Sequence, residues 1–448
     1  MSNPSVPSPS PASSGLPQGF GSSPRFAVGL LLAINLFNYI DRYVLAAVQT
    51  KIEAEFFPNG DPNAAAKMGL LATAFLVSYM VVSPLFGWLA DRGRRWLIVA
   101  VGVLLWSLAS GGSGLATVWI AMLVMRIFVG IGEAAYGPTA PTLLSDLFPV
   151  ERRGAILAWF YVAIPVGSAL GYLLGGTVIK YTSWHYAFFL TLPPGILLGV
   201  LCLFMKEPKR GGADGVNGVR HASLADYLSL AKIPSYVLCV LGMTAFTFAV
   251  GGMSFWMPTY LHRFRTPEAL QTDAHLASVN TLFGGITVVA GLAATLLGGW
   301  LADRLRARFS GSYFLVSGVG MLLGFPFFIA SLYVPLPWAY ALIFAAIFLL
   351  FLSTGPTNAI IANVTHPSVR ATAFAACIFI IHALGDAISP LIIGAITDAT
   401  KSATNPKGDM TLGFLLVGAM IVLSGVLWIW GAKHLKRDTE EAPGRVGT

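Results

Sequence analysis

"GWLADR" fills residues 87–92, and the same six letters return at 299–304. The copies stand 212 positions apart (299 − 87) in a chain of 448, and each closes a long apolar run. Other matches fall near the same offset. "GPT" at 137–139 returns at 355–357, and Gly167 and Gly176 return as Gly385 and Gly394, each 218 positions on. Arg153 and Arg370 lie 217 apart. Several matches near one offset mark an internal repeat, so the chain reads as two related halves. Parallel halves around a midplane site are an architecture of secondary transporters.

Hydrophobic residues make up 56% of the chain and charged ones 11%, where a soluble domain carries about a quarter charged; the chain therefore belongs in a membrane. The net charge of +8 sits in short gaps between apolar runs, which argues against nucleic acid as a partner. Cys202, Cys239 and Cys377 each fall inside an apolar run, a spacing that supports neither a disulfide framework nor a zinc site. A spanning helix needs about 20 apolar residues. Twelve stretches qualify: 26–50, 68–90, 96–115, 118–146, 154–180, 184–205, 235–261, 274–301, 312–333, 337–362, 371–398 and 411–432. They are read as helices, because no period-2 barrel pattern is present and lipid leaves no water to satisfy an open backbone.

With both ends inside, the inner segments hold 19 of the 28 Lys and Arg and the outer segments 7. That bias predicts cytosolic termini and a multi-pass protein of the plasma (inner) membrane. The organisation is then a Pro/Ser-rich disordered cytosolic tail at 1–24, not a signal peptide, and a six-helix half at 25–205. A basic linker at 206–233 follows, whose "SLADYLSLAK" places Leu224, Tyr227, Leu228 and Ala231 at helical spacing for a surface helix. The second six-helix half is 234–432, with a polar cytosolic tail at 433–448.

Ionisable residues inside a spanning helix cost at least about 2.5–3.5 kcal/mol and usually face the bundle interior. In the first span Asp41 stands beside Arg42, and Asn35, Asn38 and Arg42 form one stripe at i, i+3 and i+7. In the fourth, Arg126 and Glu133 share a face, with Gly130 and Gly132 permitting close packing between them. The four charges are expected to form a chain in which Asp41 and Glu133 take up and release a proton while Arg126 and Arg42 set their affinities. A permanent structural ion pair is the alternative, and a packing role suits Arg126. Arg42, with Asn38, is also a candidate grip for an anionic headgroup. His382 and Asp386, one turn apart in the eleventh span, form a secondary polar pair, read either as a proton site or as a hydrogen-bonded pair filling the bundle. The seventh span carries Phe255, Trp256 and Tyr260; Gly251, Gly252 and Pro258 are expected to break it, so that the aromatics line an apolar cavity fit for a lipid tail, or else pack. Gly167, Gly171 and Gly175 give the fifth span a smooth ridge. No phosphate-binding loop, H-E-x-x-H or nucleophile elbow occurs, so no enzyme, metal or organic cofactor is expected beyond the proton as coupling ion.

"GWLADRGRR" after the second span resembles the signature of the major facilitator superfamily, "RIFVGIGEA" at 126–134 its fourth-span motif, and "IPVGSALGYLLGG" at 164–176 the fifth-span pattern of its antiporters. Within it, "NYIDRY" at 38–43, "GEAAYGPTAPTLLSDLF" at 132–148 and "HALGDAISP" at 382–390 resemble the spinster branch. The resemblance implies an all-α membrane fold of two pseudo-symmetric six-helix bundles. It also implies proton-coupled alternating access by a monomer, exporting an amphipathic lipid of lysophospholipid or sphingoid type from among membrane lipids. A multidrug or organic-anion proton antiporter, or a non-transporting membrane sensor, are the alternatives.

The opening repeat then acquires a place. Gly87 and Gly299 are expected to allow tight packing. Asp91, with Arg92, is expected to approach the start of span eleven near Arg370, and Asp303, with Arg304, the start of span five near Arg153. A carboxylate is favoured at a helix N-terminus, so these residues would latch the cytosolic side. A plain topology signal is the alternative.

Overall fold

Every apolar run folds as a helix, the conformation that satisfies its own backbone in lipid. The computed structural model describes residues 23–148, 150–208, 228–365 and 369–442. Among these, twelve helices are long and apolar enough to cross a membrane. They are α1 (Pro24–Phe56), α2 (Ala64–Ala90), α3 (Arg95–Ser113), α4 (Trp119–Leu144), α5 (Val162–Tyr181), α6 (His185–Leu203), α7 (Pro234–Phe264), α8 (Asp273–Arg306), α9 (Ser312–Ser331), α10 (Trp338–Val364), α11 (Ala373–Ala399) and α12 (Met410–Gly431). These are the twelve expected spans. α1 shows why the ends fall where they do: the Ser23 hydroxyl accepts from the amide of Phe26 at 3.4 Å and Pro24 takes the first helical position.

Twelve crossings among the described residues put the start of α1 and the end of α12 on one side, the terminal face; the other is the far face. α1–α6 and α7–α12 form the two halves, joined along two seams, α5 against α8 and α2 against α11. The ridge of α5 packs on α1, where a Cβ on Gly167, Gly171 or Gly175 would stand 2.5–2.6 Å from Tyr39, Ile40 or Ala47. The seams close as tightly: a Cβ on Gly69 would lie 2.4 Å from the Pro390 carbonyl, and one on Gly394 2.4 Å from that of Ala65. Both contacts lie toward the far face. There one buried apolar core runs through both halves, joining Val44, Ala47 and Tyr172 to Tyr260 and Phe283. On the terminal side the first half keeps a cluster of its own, around Leu31, Trp96, Trp106 and Tyr136. Among the described residues, the shared core and the two close glycine contacts thus join the halves on the far side.

Three expectations need correction. α7 is not broken at its glycines: it runs as α-helix to Thr259 and then widens into one π turn over Tyr260–Phe264, closed by the Arg265 amide on the Tyr260 carbonyl at 3.2 Å. Gly251 and Gly252 instead let α11 approach, since their Cβ atoms would stand 2.5 Å from Asp386 and 2.4 Å from Ile393. Residues 435–441 are not loose tail but a short helix, α13 (Leu435–Glu441). Its Asp438, fully buried, accepts from the amide of Ser235 at 2.8 Å and so caps the start of α7. Among the described residues nothing lies within 4 Å of a Cβ built on Gly87 or Gly299, so the tight packing expected at those two Cα faces is not seen in this conformer, although the Gly299 backbone lies close to Gly355. The tail at 1–22, residues 223–227 of the surface helix and residues 443–448 lie outside the described residues. The three cysteines are buried and free.

Candidate functional site

The four charges of α1 and α4 do come together, but as two crossed pairs rather than one chain. Successive residues on a helix point about 100° apart, so Asp41 and Arg42 face different neighbours. Asp41, 2% exposed, turns into the first half. One carboxylate oxygen accepts from the Ser110 hydroxyl of α3, and from Thr191 of α6 at 3.3 Å. The other lies 3.9 Å from Arg126. Arg126 donates to Ser113 at 2.8 Å and stacks over Phe188 at 5.3 Å. Among the described residues, that second Asp41 oxygen and the Arg126 Nε find no hydrogen-bond partner.

Arg42 turns the other way. Its Nε and Nη2 donate to one oxygen of Glu133, at 2.8 and 2.5 Å. The Glu133 side chain is fully buried while that of Arg42 stays 21% exposed. The guanidinium carbon lies over three rings: Phe75 at 4.9 Å, Tyr39 at 5.0 Å and Tyr79 at 5.6 Å. Glu133 reaches this point because α4 lies close on α2 and α3: a Cβ on Gly130 would stand 2.1 Å from Ser78, and one on Gly132 2.6 Å from the Trp106 amide. Asn38 is buried at 3% exposure, and Asn35 donates to the Phe160 carbonyl at 2.7 Å, so the polar stripe of α1 serves packing as well as the site. Sequence reasoning missed Ser110, Ser113 and Thr191; the two serines fall in the run "SLASGGSG" (107–114), which does not by itself set them apart from packing residues, and Thr191 lies outside it.

In the second half, His382 Nδ1 lies 2.9 Å from Asp386, both about a quarter exposed. They sit on a second π turn, where the amide of Ala387 donates to the His382 carbonyl at 3.1 Å. The same turn approaches α2 at the seam. The aromatic residues of α7 are elsewhere. Trp256, 1% exposed, donates to the Pro390 carbonyl at 2.8 Å. Tyr260, 1% exposed, reaches the Leu332 carbonyl at 3.2 Å and packs edge-on against Phe414. Phe255 is 7% exposed and its carbonyl accepts from Gln49 at 2.8 Å. The structure places all three in packing and in the far-side seam, not on an open cavity wall.

Among links between described residues, the hydrogen bonds and ion pairs that join the halves lie on the far side. Glu53 meets Arg263 at 2.6 Å, and Lys51 pairs with Asp273. Gln49 donates to Thr259 at 2.5 Å, Asn280 to the Ala47 carbonyl at 3.0 Å, and Tyr172 to the Ser254 carbonyl. Asp398 of α11 accepts from the amides of Ala65 and Ala66 at 3.2 and 2.7 Å, a carboxylate on the N-terminus of α2. Lys401 braces it at 2.6 Å. A cavity of about 470 Å³ remains in this far seam, lined by Lys51, Glu53, Asp61, His262, Arg263 and Lys401 among others. In the loop beside it Lys67 donates to Asp61 at 2.5 Å and holds that carboxyl below its ordinary range.

On the terminal side, Asp303 accepts from Tyr313 of its own half at 2.7 Å. Arg304 lies over Trp300 at 5.5 Å and Arg92 over Trp88 at 4.4 Å. The side chains of Asp91, Arg153 and Arg370 lie outside the described set. Arg95, next along the same signature, pairs with Asp146 at 2.5 Å and Glu207 at 2.7 Å within the first half.

Comparison with known proteins adds to this geometry. A family model described as Major Facilitator Superfamily matches residues 31–390. Protein spinster homolog 1 of Homo sapiens is 38% identical over 96% of this chain and 85% of its own. Protein spinster homolog 3 of Danio rerio is 36% identical over 93% and 86%, and the sphingosine-1-phosphate transporter SPNS2 of Danio rerio is 36% identical over 95% and 87%. Among solved structures, that of a bacterial homolog to human lysosomal transporter, Spinster, inward-facing and unoccupied, superposes with a TM-score of 0.76 at 20% identity, over 95% of this chain and 98% of that one. The likeness shows the shared fold.

Proposed function

The chain belongs to the spinster branch of the major facilitator superfamily, and from that premise we propose that this membrane transporter, which is not an enzyme, is proton-coupled and moves an amphipathic lipid with an anionic headgroup by alternating access. The observation that carries the reading is the Arg42–Glu133 pair: a cation whose side chain keeps 21% of its surface exposed, held by a carboxylate that is fully buried. A headgroup oxyanion that takes the Nε–Nη2 edge of Arg42 displaces Glu133 from it. A buried carboxylate stripped of its cation costs about 3–5 kcal/mol, and a proton removes that cost. Headgroup and proton therefore load the pair together. Asp41 and Arg126 form a second site, where hydroxyls of Ser110 and Thr191 hold the carboxylate while Arg126 stands off at 3.9 Å.

The terminal face is the cytosolic one, since the Lys and Arg of the segments between spans concentrate there, and the protein sits in the inner membrane as a monomer. Loading begins from this side, because the halves are joined at the other. Export, the direction that the resemblance implies, then needs acid on the loading side, or a lipid gradient steep enough to outweigh an opposing proton gradient. In the alternate conformer Asp91 and Asp303 close the terminal face on α11 and α5, and the far-side links break. His382 and Asp386 supply the second half's polar contribution at the seam.

A second reading, multidrug or organic-anion proton antiport, draws on the loose Asp41–Arg126 contact, since a proton arriving at Asp41 could expel cargo. Uptake into proteoliposomes separates the two. We expect transport of a lysophospholipid bearing a phosphate headgroup to quicken when the loading side is made acid, and affinity to climb with acyl-chain length. Acceleration by acid on the opposite side supports antiport. Indifference to both pH gradient and chain length would overturn the proposal.

A further inference from the structure

Phe75, Tyr39 and Tyr79 surround the Arg42 guanidinium at 4.9, 5.0 and 5.6 Å, while Glu133 occupies one edge of it. We infer that these three rings are the headgroup-selecting element of the transporter: they hold Arg42 as a cation without its carboxylate, and they favour a compact oxyanion at the edge that Glu133 vacates. The inference rests on the headgroup reading of Arg42 given above.

Three physical points carry it. First, when Glu133 is neutralised, Arg42 keeps its charge and loses its counter-ion in a site only 21% exposed. A guanidinium within about 6 Å of a ring face is attracted by the ring quadrupole, more strongly as water is removed. Phe75 is 8% exposed, and Tyr39 and Tyr79 are half-buried, so all three act in partly dry surroundings. The rings thus stabilise the cation in place, where the alternative is for a long, flexible side chain to swing toward water.

Second, the rings do not compete with the cargo. A second carboxylate in their place would stabilise Arg42 as well, and would have to be displaced in turn. An aromatic face is partly negative and repels an anion. It therefore shields the flanks of the guanidinium and directs an oxyanion to the edge that Glu133 vacates. Arg presents a planar fork that matches a phosphate or carboxylate through paired hydrogen bonds. With its flanks closed, it suits a terminal phosphate better than a headgroup whose charge is buried inside a diester.

Third, the cage is assembled from two helices, Tyr39 from α1 and Phe75 and Tyr79 from α2. α2 is also the helix whose far end is gripped by Asp398 of the other half. The guanidinium is thereby preorganised for capture in the conformer whose terminal side is open, which lowers the ordering cost of binding.

The test measures binding to the purified full-length protein. One probe is a lysophospholipid with a terminal phosphate; the other is the monoacylglycerol of the same chain. Tyr39→Leu and Phe75→Leu are each expected to weaken the phosphate lipid by about fivefold to thirtyfold, the range a desolvated cation–π contact spans, and to leave the monoacylglycerol unchanged. Tyr39→Phe, which keeps the ring, should bind both lipids as the parent does. Arg42→Ala must abolish the difference between the two lipids. An equal loss for both lipids in the leucine variants assigns the rings to packing and overturns the inference. So does unchanged phosphate binding in those variants while Arg42→Ala loses it. If Arg42→Ala itself leaves phosphate binding intact, the headgroup reading of Arg42 fails, whatever the rings do.

Discussion

Gly130 sets the position of Glu133, and it does so by leaving no room. A Cβ there would stand 2.1 Å from the Ser78 hydroxyl and 2.3 Å from the Phe75 carbonyl, contacts that α4 can relieve only by moving off α2. Overpacking of this kind costs about 1–3 kcal/mol. Gly130→Ala is expected to lower the melting temperature of the detergent-solubilised protein by several degrees and to impair transport, whereas Gly29→Ala, with nothing within 4 Å of its Cβ, should do neither. Asp61 gives a smaller, pH-dependent effect. Its carboxyl is held below the ordinary range by Lys67, so the link stabilises the far-face loop above the unfolded carboxylate pKa of about 3.9 and is lost as pH falls through the lower folded value. Amide exchange in 57–63 should rise over that acid window, and Asp61→Asn should remove the rise; the effect is small because the pair is largely solvated. At this scale the charges were readable because apolar surroundings make an Asp, Glu or Arg conspicuous. The hydroxyls of Ser110 and Thr191 were not, since serine and threonine are ordinary in spanning helices and only the third dimension points them at Asp41.

The helices themselves were legible almost to their ends, because a spanning run is long, apolar and marked by charge at its limits. What periodicity does not show is a single inserted residue. The π turns at Tyr260–Phe264 and His382–Asp386 each rotate the following segment within an unbroken apolar pattern. Trp256 and Tyr260 precede or open the first of these turns, and they pack where a cavity wall was expected because the Pro390 and Leu332 carbonyls accept their polar tips. α13 was hidden for a different reason: six of its seven residues are polar, and what ties it down is buried Leu435 in the core and Asp438 on the amide of Ser235. The seam between α2 and α11 makes the sharpest prediction at this scale. The Asp398 carboxylate, with its side chain 4% exposed, closes on the first amides of α2. Asp398→Asn keeps the shape and removes the charge. A loss of about 1 kcal/mol shifts a two-state balance some fivefold. Distances between spin labels at the far ends of α2 and α11 should lengthen; a distribution equal to the parent's contradicts the assignment.

At the level of the whole molecule, the repeated "GWLADR" is two halves, and α5–α8 and α2–α11 are the seams that join them. The carboxylate-on-helix chemistry expected at the terminal face is present at the far face, in Asp398, while Asp303 rests on Tyr313 within its own half. In the proposed cycle the two faces alternate, so loss of a latch at either should drive the balance in opposite directions. Asp91→Asn is expected to widen the terminal side, and Asp398→Asn the far side, when both are read by label distances on the same protein. If the two substitutions move the distances in the same sense, the seams do not work as alternating gates. The central claim lies between the faces, where one arginine is shared by a buried carboxylate and the cargo's headgroup. Its most direct measurement is proton uptake on binding, followed in weak buffer as a phosphate-bearing lysophospholipid is added to the purified transporter. The parent protein should take up about one proton per lipid bound, and Glu133→Gln should bind with almost none. Proton release on binding, or an uptake that Glu133→Gln leaves intact, would contradict the shared-arginine account.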